Sequence, residues 1–411
     1  MDLQPMAVAP REPGDHAPAA GARAVESLTE AAAPLRGARI LHVTPAGGAG
    51  RLPELLGGSL PLAAGLGIEV EWRALFGSPE EREVAGSLSA GLRGAESAIA
   101  GERWDAWLEA CARTARELGD GYDAVVLHDS ALGLAAGLDG PAVWRCNDDV
   151  AGAEAAALER ARALREATVL TLVPHETFAP PALRDEGGVV AAAPGIDPLD
   201  PRNMELEPRL PGRVVSPLGV DLERPFCLQV LELDRFDDPH GTIEAFRVAR
   251  ERQPELQLVL AALLDPADTS GWQAAKEVSD FAAEDDDVLL LTTYEGLGSL
   301  EVGALQLLAR VVVERSLGEG FEIAPCEALW KRTPVLGAGG GGIPLVVRDG
   351  VDGFLVDEPD DTAARLVELV ADPGLAVEMG RAGRERVRER FLVTAALERE
   401  LRALAGTLGA A

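Results

Sequence analysis

Lysine is nearly missing from this 411-residue chain: of its 38 basic residues only Lys276 and Lys331 are lysines. Basic charge as a whole is short, 38 against 68 acidic residues, for a formal net charge of −30. So acidic a surface repels phosphate and excludes nucleic acid and an anionic membrane as partners. A phosphorylated ligand would therefore need a locally basic pocket. Cysteine is scarce as well: Cys111, Cys146, Cys227 and Cys326 form no C-x-x-C pair, a pattern of reduced thiols and not of a disulfide framework or zinc site. His42, His128, His175 and His240 are isolated, without H-E-x-x-H spacing, so no metal is expected. No run approaches the roughly 18 apolar residues of a membrane span. The opening MDLQPMAVAPREPGDHAPAAG lacks a basic stretch followed by an apolar core; no secretory signal and a cytoplasmic location are expected.

What is present is apolar: 47% of the residues are hydrophobic, enough for two or three cored domains. Residues 1–37, rich in Ala, Pro and Gly, read as a flexible leader. The strand-like run at 38–44 ends in Pro45-Ala46-Gly47-Gly48-Ala49-Gly50, followed by leucines at helical spacing and the β-like run at 68–72. Strand, glycine turn, helix and strand open a doubly wound α/β domain. Counted from Gly48, the third glycine of a dinucleotide fingerprint falls on Pro53, so a nicotinamide site is disfavoured. Buried strands are predicted at 122–129, 142–149 and 167–173.

The proline-rich stretch 194–217 reads as a crossing between domains, after which the alternation restarts with strands at 227–236, 256–264 and 287–294 and helices at 243–254 and 300–310. Three more strand-and-turn units and a charged helical tail follow. The expected division is 38–215, 216–385 and 386–411. Trp104 and Trp107, one helical turn apart, are expected to cover core; the arginines of RAGRERVRERF are expected on a solvated helix face; and Tyr294 is expected to pack.

The segment richest in chemistry is Glu319-Gly320-Phe321-Glu322-Ile323-Ala324-Pro325-Cys326-Glu327. Its two outer glutamates stand eight positions apart, spanning a loop and the start of a helix. A carboxylate accepts hydrogen bonds from two sugar hydroxyls, and a helix N-terminus offers N–H groups to a phosphate. The alternative for Glu319 and Glu327 is a pair of solvated helix-start residues. Downstream, Gly339 to Gly342 followed by Ile343 lets backbone approach a ligand closely.

Glu319-Gly320-Phe321, Glu327-Ala328 and the glycine turn together resemble the E-x7-E motif of retaining GT-B glycosyltransferases of family four. The words HVTPAGG, VVLHD, WRC, GIDPL, DRFD and EALWKRTPVLG are similar to those of the trehalose glycosyltransferring synthases, over roughly residues 38–400. The resemblance implies two Rossmann-like domains facing a cleft, with a C-terminal helix crossing back to the first. It implies transfer of a hexose from a nucleotide-sugar donor to a small sugar or cyclitol acceptor, without a metal or other cofactor; a homodimer is left open. Carried over by residue, Glu319 contacts the donor sugar, Glu327 the ribose and Arg235 the departing diphosphate. Gly320, Phe321, Glu322, Gly342 and Ile343 line the donor. Gly47, Gly48, His128, Asp129, Arg145 and Asp149 shape the acceptor side.

Four positions depart from the family, one of them Gly318, at a place before Glu319 that is often basic. His240 stands where a diphosphate-pairing lysine is usual, a mostly neutral group near pH 7 in place of a fixed cation. Glu322 replaces a glycine, and Asn147 a histidine of the R-C-H-x-D word. With Asp148, Glu322 would suit a cationic aminocyclitol or amino sugar. A nucleotide-sugar-binding protein with weakened catalysis is the reading from another class.

Overall fold

The structure, a computed structural model, describes residues 1–46, 52–119, 121–233, 237–264, 269–316 and 320–409. Gly47, Gly48, Arg235, Gly318 and Glu319 lie outside the described residues. The chain divides into two compact units, Met1–Gly195 with Val393–Ala411, and Ile196–Leu392.

The first unit is built on a seven-stranded sheet. Its strands are β1 (Asp2–Met6), β2 (Arg39–Pro45), β3 (Glu69–Phe76), β4 (Ala124–His128), β5 (Ala142–Arg145), β6 (Thr168–Val173) and β7 (Val189–Ala191). The order is β1-β3-β2-β4-β5-β6-β7, and all pairs are parallel except β1 with β3. β4 and β5 are buried along their whole length, the signature of strands covered on both faces. Trp107, Leu88 and Leu132 belong to one core. Leu28, Leu62 and the C-terminal helix leucines Leu397, Leu401 and Leu404 belong to a second. Trp107 is buried, with Trp104 packed beside it.

Residues 1–37, expected as a flexible leader, carry regular structure in the first unit. β1 extends the sheet edge against β3, and the helix Ala22–Ala32 buries Leu28, Ala31 and Ala32. Alanine is the strongest helix former, and these residues recur at helical spacing, so a composition read as loose linker folds once the C-terminal helix covers it. That helix, Val393–Leu408, lies in the first unit, and Ser27 donates to Glu398 over 2.8 Å.

The second unit holds β8 (Phe226–Leu231), β9 (Gln257–Ala262), β10 (Val288–Thr292), β11 (Val311–Glu314), β12 (Val335–Ala338) and β13 (Gly353–Val356). Their order, β10-β9-β8-β11-β12-β13, is all parallel; numbered from β8 it reads 3-2-1-4-5-6, the doubly wound arrangement. The predicted strands and helices of this half all appear, with ends shifted by a few residues; the helix expected at 243–254 spans Pro239–Arg250.

Two expectations fail here. The stretch expected as a domain crossing packs inside the second unit from residue 196 onward: Asn203 accepts from Trp330 Nε1 at 3.0 Å and from Lys331 Nζ at 3.1 Å. Its many prolines and polar groups serve as a fitted loop whose backbone oxygens are used. Within the helix Pro373–Arg390, Arg384 is buried, donates to the Trp330 carbonyl at 2.8 Å, and pairs with Glu205. Arg386 donates to the carbonyls of Leu345 and Val346. Only part of this basic face is solvated, because guanidinium groups can satisfy carbonyls at the ends of neighbouring helices. Among the described residues no helix is long and apolar enough to cross a membrane.

Candidate functional site

In an open α/β sheet, ligands lie beyond the carboxyl ends of the strands where the strand order reverses. That point falls between β2 and β4 in the first unit and between β8 and β11 in the second. Most of the expected residues that are described lie at or just beyond such strand ends.

In the second unit, beyond β8, the Asp237 carboxylate accepts from the amides of Glu232 and Leu233. Asp238 caps the helix Pro239–Arg250 by accepting from Gly241 at 2.8 Å. It also pairs with the buried Arg315 at 2.9 Å. Both Asp237 and Asp238 are thus committed to local hydrogen bonds and an ion pair. His240 lies in the first turn of the helix, exposed, with its ring edge-on to Phe281 at 4.6 Å.

The glycine turn and the Glu-Gly-Phe word meet. A Cβ on Gly342 would lie 2.3 Å from the Gly320 carbonyl oxygen and 2.9 Å from Phe321 Cα, so only glycine permits this approach. Ile343 is buried behind the turn, and Gly337 in β12 is confined by its side chain. Phe321 packs against Phe391 at 5.6 Å, and Glu322 is partly buried. Glu327 is fully buried in the first turn of the helix Ala324–Trp330, 3.8 Å from buried Arg202; it is not a solvated helix-start residue. Tyr294 is 80% exposed and leans on Trp272 at 4.7 Å, contrary to the expected packing role: it follows the edge strand β10, with no sheet neighbour to cover it.

In the first unit, register places His128 beside Arg145 on adjacent strands. His42 and His128, isolated in the sequence, meet in the fold. His42 Nδ1 and His128 Nε2 lie 3.1 Å apart, both rings buried. Burial holds the His42 imidazole down at about 4, and burial with the His42 and Arg145 charges holds His128 well below its ordinary value; both are neutral at pH 7. Asp129, left-handed at φ 49°, accepts from the Asn147 amide at 2.8 Å and from its side chain at 3.2 Å. Arg145 Nε donates to Asn147 Oδ1 at 3.1 Å. Asn147, where the family resemblance leads one to expect histidine, thereby bridges an aspartate and an arginine.

Asp129 is pushed up by burial against the pull of Asn147. Asp148 rises to about 7 through burial and the Asp129 charge, and Asp149 rises through burial. Asp129 and Asp148 line a cavity of about 330 Å³ with Ser130, Arg93 and Glu81. His42, Arg202, Arg315 and Glu400 were not anticipated. The β2–β4 register pairs His42 with Val126, two residues before His128; the others come from segments remote in sequence.

Residues 41–180 match the family described as trehalose synthase, N-terminal domain, and residues 215–386 match glycosyl transferases group 1. The chain is 36% identical over 394 residues to trehalose synthase from Rubrobacter xylanophilus, covering 93% of this chain and 94% of that protein. Trehalose synthase from Pyrococcus horikoshii is 30% identical over 386 residues, 93% of each. Among solved structures, sucrose-phosphate synthase from Thermosynechococcus elongatus aligns with a TM-score of 0.66 at 19% identity, over 88% of this chain and 96% of that one. Anabaena HepE in complex with UDP-glucose aligns at 0.62 and 16%, over 91% and 100%. These structural likenesses establish a shared fold, which is GT-B. With two relatives matched at this identity over nearly their whole length, the chain belongs to the trehalose synthase family of glycosyltransferases.

Proposed function

We propose that the chain moves a hexosyl group from a nucleoside diphosphate sugar to a free hexose with retention, giving trehalose or a close analogue. The reading rests on the concentration of polar groups at the strand ends flanking both order reversals. The curated relatives are named trehalose synthases, and a structural neighbour holds UDP-glucose. In the transfer the bond from the anomeric carbon to phosphate oxygen breaks and a bond to the acceptor hydroxyl oxygen forms. The acceptor proton passes to the leaving phosphate on the same face of the sugar. No enzymic nucleophile is required, and the paired carboxylates of a glycosidase are not needed.

Arg235 and the backbone of the Gly342 turn stabilise the charge gathering on the diphosphate. The Gly320–Glu322 backbone, locked against Gly342, positions the donor sugar beside Glu319. Glu327 orients the ribose from its buried pairing with Arg202. His128, Asp129 and Arg145 hold the acceptor, and no metal takes part. A second reading, an amino sugar or aminocyclitol acceptor, draws on the cavity bearing Asp129 and Asp148, whose carboxylates an ammonium group would ionise. The test is a panel of UDP-, GDP- and ADP-glucose against glucose and aminated acceptors, with and without EDTA, scored by product mass and anomeric configuration. An α,α-linked disaccharide unaffected by EDTA supports the first reading. Preferential use of aminated acceptors supports the second, and nucleotide release without any glycosylated acceptor refutes both.

A further inference from the structure

Arg145 is 4% exposed at the end of β5, and a guanidinium so buried needs a counter-charge. Its hydrogen-bonded neighbour, Asn147, is neutral. The carboxylate opposite comes from 255 residues away: Glu400 Oε2 lies 3.9 Å from Arg145 Nη1. Glu400 sits on the C-terminal helix, held by Leu397, Leu401 and Leu404, which are buried in the core of the first unit. Its place beneath the strand ends is therefore set by helix packing. Its charge also reaches His42, where it opposes the effects of burial and Arg145.

At 3.9 Å the pair is electrostatic without being a hydrogen bond, and Nη1 donates to no group among the described residues. Glu400 thus balances the guanidinium without occupying its outer donor. The same side chain's Nε donates to Asn147 Oδ1, and Asn147 donates to the Asp129 carboxylate from both its backbone and its side-chain N–H groups. Arg145, Asn147, His128 and Glu400 line one small cavity of about 40 Å³. His128 Nδ1 is likewise buried without a partner there.

We propose that Glu400 is a positioning residue for the acceptor side of the site, acting through Arg145 and Asn147 on Asp129. The proposal rests on the reading that the strand ends of the first unit hold the acceptor. Without the Glu400 charge, Asp129, which the Arg145 charge already reaches, is left as a counter-charge for the guanidinium. The guanidinium then turns from the Asn147 oxygen toward it, and the relay loosens.

The test uses the chain with Glu400→Gln, Glu400→Asp, Asn147→Ala and the double variant Glu400→Gln/Asn147→Ala. Substrates are the donor and acceptor that the wild type accepts in the panel above. Glu400→Gln should raise the acceptor KM about tenfold, a coupling in the middle of the range for residues sharing one network, and leave the donor KM within about twofold. Glu400→Asp should recover part of the loss. The double variant should be no worse than Asn147→Ala alone. Unchanged acceptor KM, or an equal loss in donor and acceptor terms, overturns the proposal and leaves Glu400 a helix-packing residue. A readout independent of transfer is exchange of the Asn147 side-chain amide, followed by NMR on selectively labelled protein. It should accelerate in Glu400→Gln by more than the change in global unfolding, measured on the same variant, accounts for. Failure of the wild type to transfer to any acceptor would count against the functional reading; unchanged Asn147 exchange would count against this one.

Discussion

Replacing Asp148 with asparagine should stabilise the protein, and increasingly so as pH rises. The Asp148 carboxyl is pushed from 3.8 to about 7 by burial and by the Asp129 charge. A folded-state value above the unfolded one means that the native protein retains a proton which the unfolded chain has already released. Stability therefore falls as pH rises through the window from about 4 to about 7, and stays low above it. Each pH unit of displacement corresponds to about 1.4 kcal/mol, so the full rise bounds the cost at about 4 kcal/mol. Shared titration with Asp129 and partial solvent access reduce this to about 2 kcal/mol. Asp148→Asn keeps the shape and removes the titration. Its advantage over the wild type should be small near pH 4 and reach about 2 kcal/mol at pH 8, with about half of the growth between pH 5 and pH 8. Urea unfolding at pH 4, 5, 6.5 and 8 measures it directly, provided the dependence on denaturant is unchanged. Parallel pH profiles for the two proteins, or a destabilised variant at pH 8, would refute the claim that burial and a neighbouring carboxylate dominate here.

Other outcomes follow from single contacts. Gly342→Ala places a methyl group 2.3 Å from the Gly320 carbonyl; displacement of the turn by about 1 Å should cost about a hundredfold in kcat/KM, with little change in acceptor KM. Arg202→Met removes the guanidinium 3.8 Å from fully buried Glu327 and should lower stability by about 3 kcal/mol in denaturant titration. His240→Lys puts a fixed cation in the first helical turn after Arg235. Steady-state kinetics should show turnover rising about tenfold, less than for an enclosed phosphate donor because the position is exposed. No gain would mean that position 240 does not act on the leaving group.

The strands and most helices were legible because apolar runs with glycine and proline punctuation report local structure directly. Runs such as Ala124–His128 and Val311–Glu314 appear as buried parallel strands. The candidate words were legible for the same reason, since they sit where an apolar run turns polar. Misreadings arose where a segment takes its structure from a distant partner. Ala22–Ala32 is helical against the C-terminal helix, the loop at Asn203 is fitted to Trp330 and Lys331, and Arg384 is buried over the Trp330 ring. Composition cannot distinguish such segments from linkers or solvated faces.

By itself the sequence determined two α/β halves, a net charge of −30 that leaves any phosphate-binding field local, and a family resemblance carried by short words at strand ends. It also showed that lysine is missing at position 240. Tertiary structure alone decided what those words touch. Glu327 faces Arg202, Asp238 faces Arg315, Gly342 admits the Gly320 backbone, and Glu400 stands opposite Arg145. These pairings join residues between 22 and 255 positions apart. No local periodicity encodes them; they arise because sheet order and helix packing bring remote strand ends and helix faces to the same place.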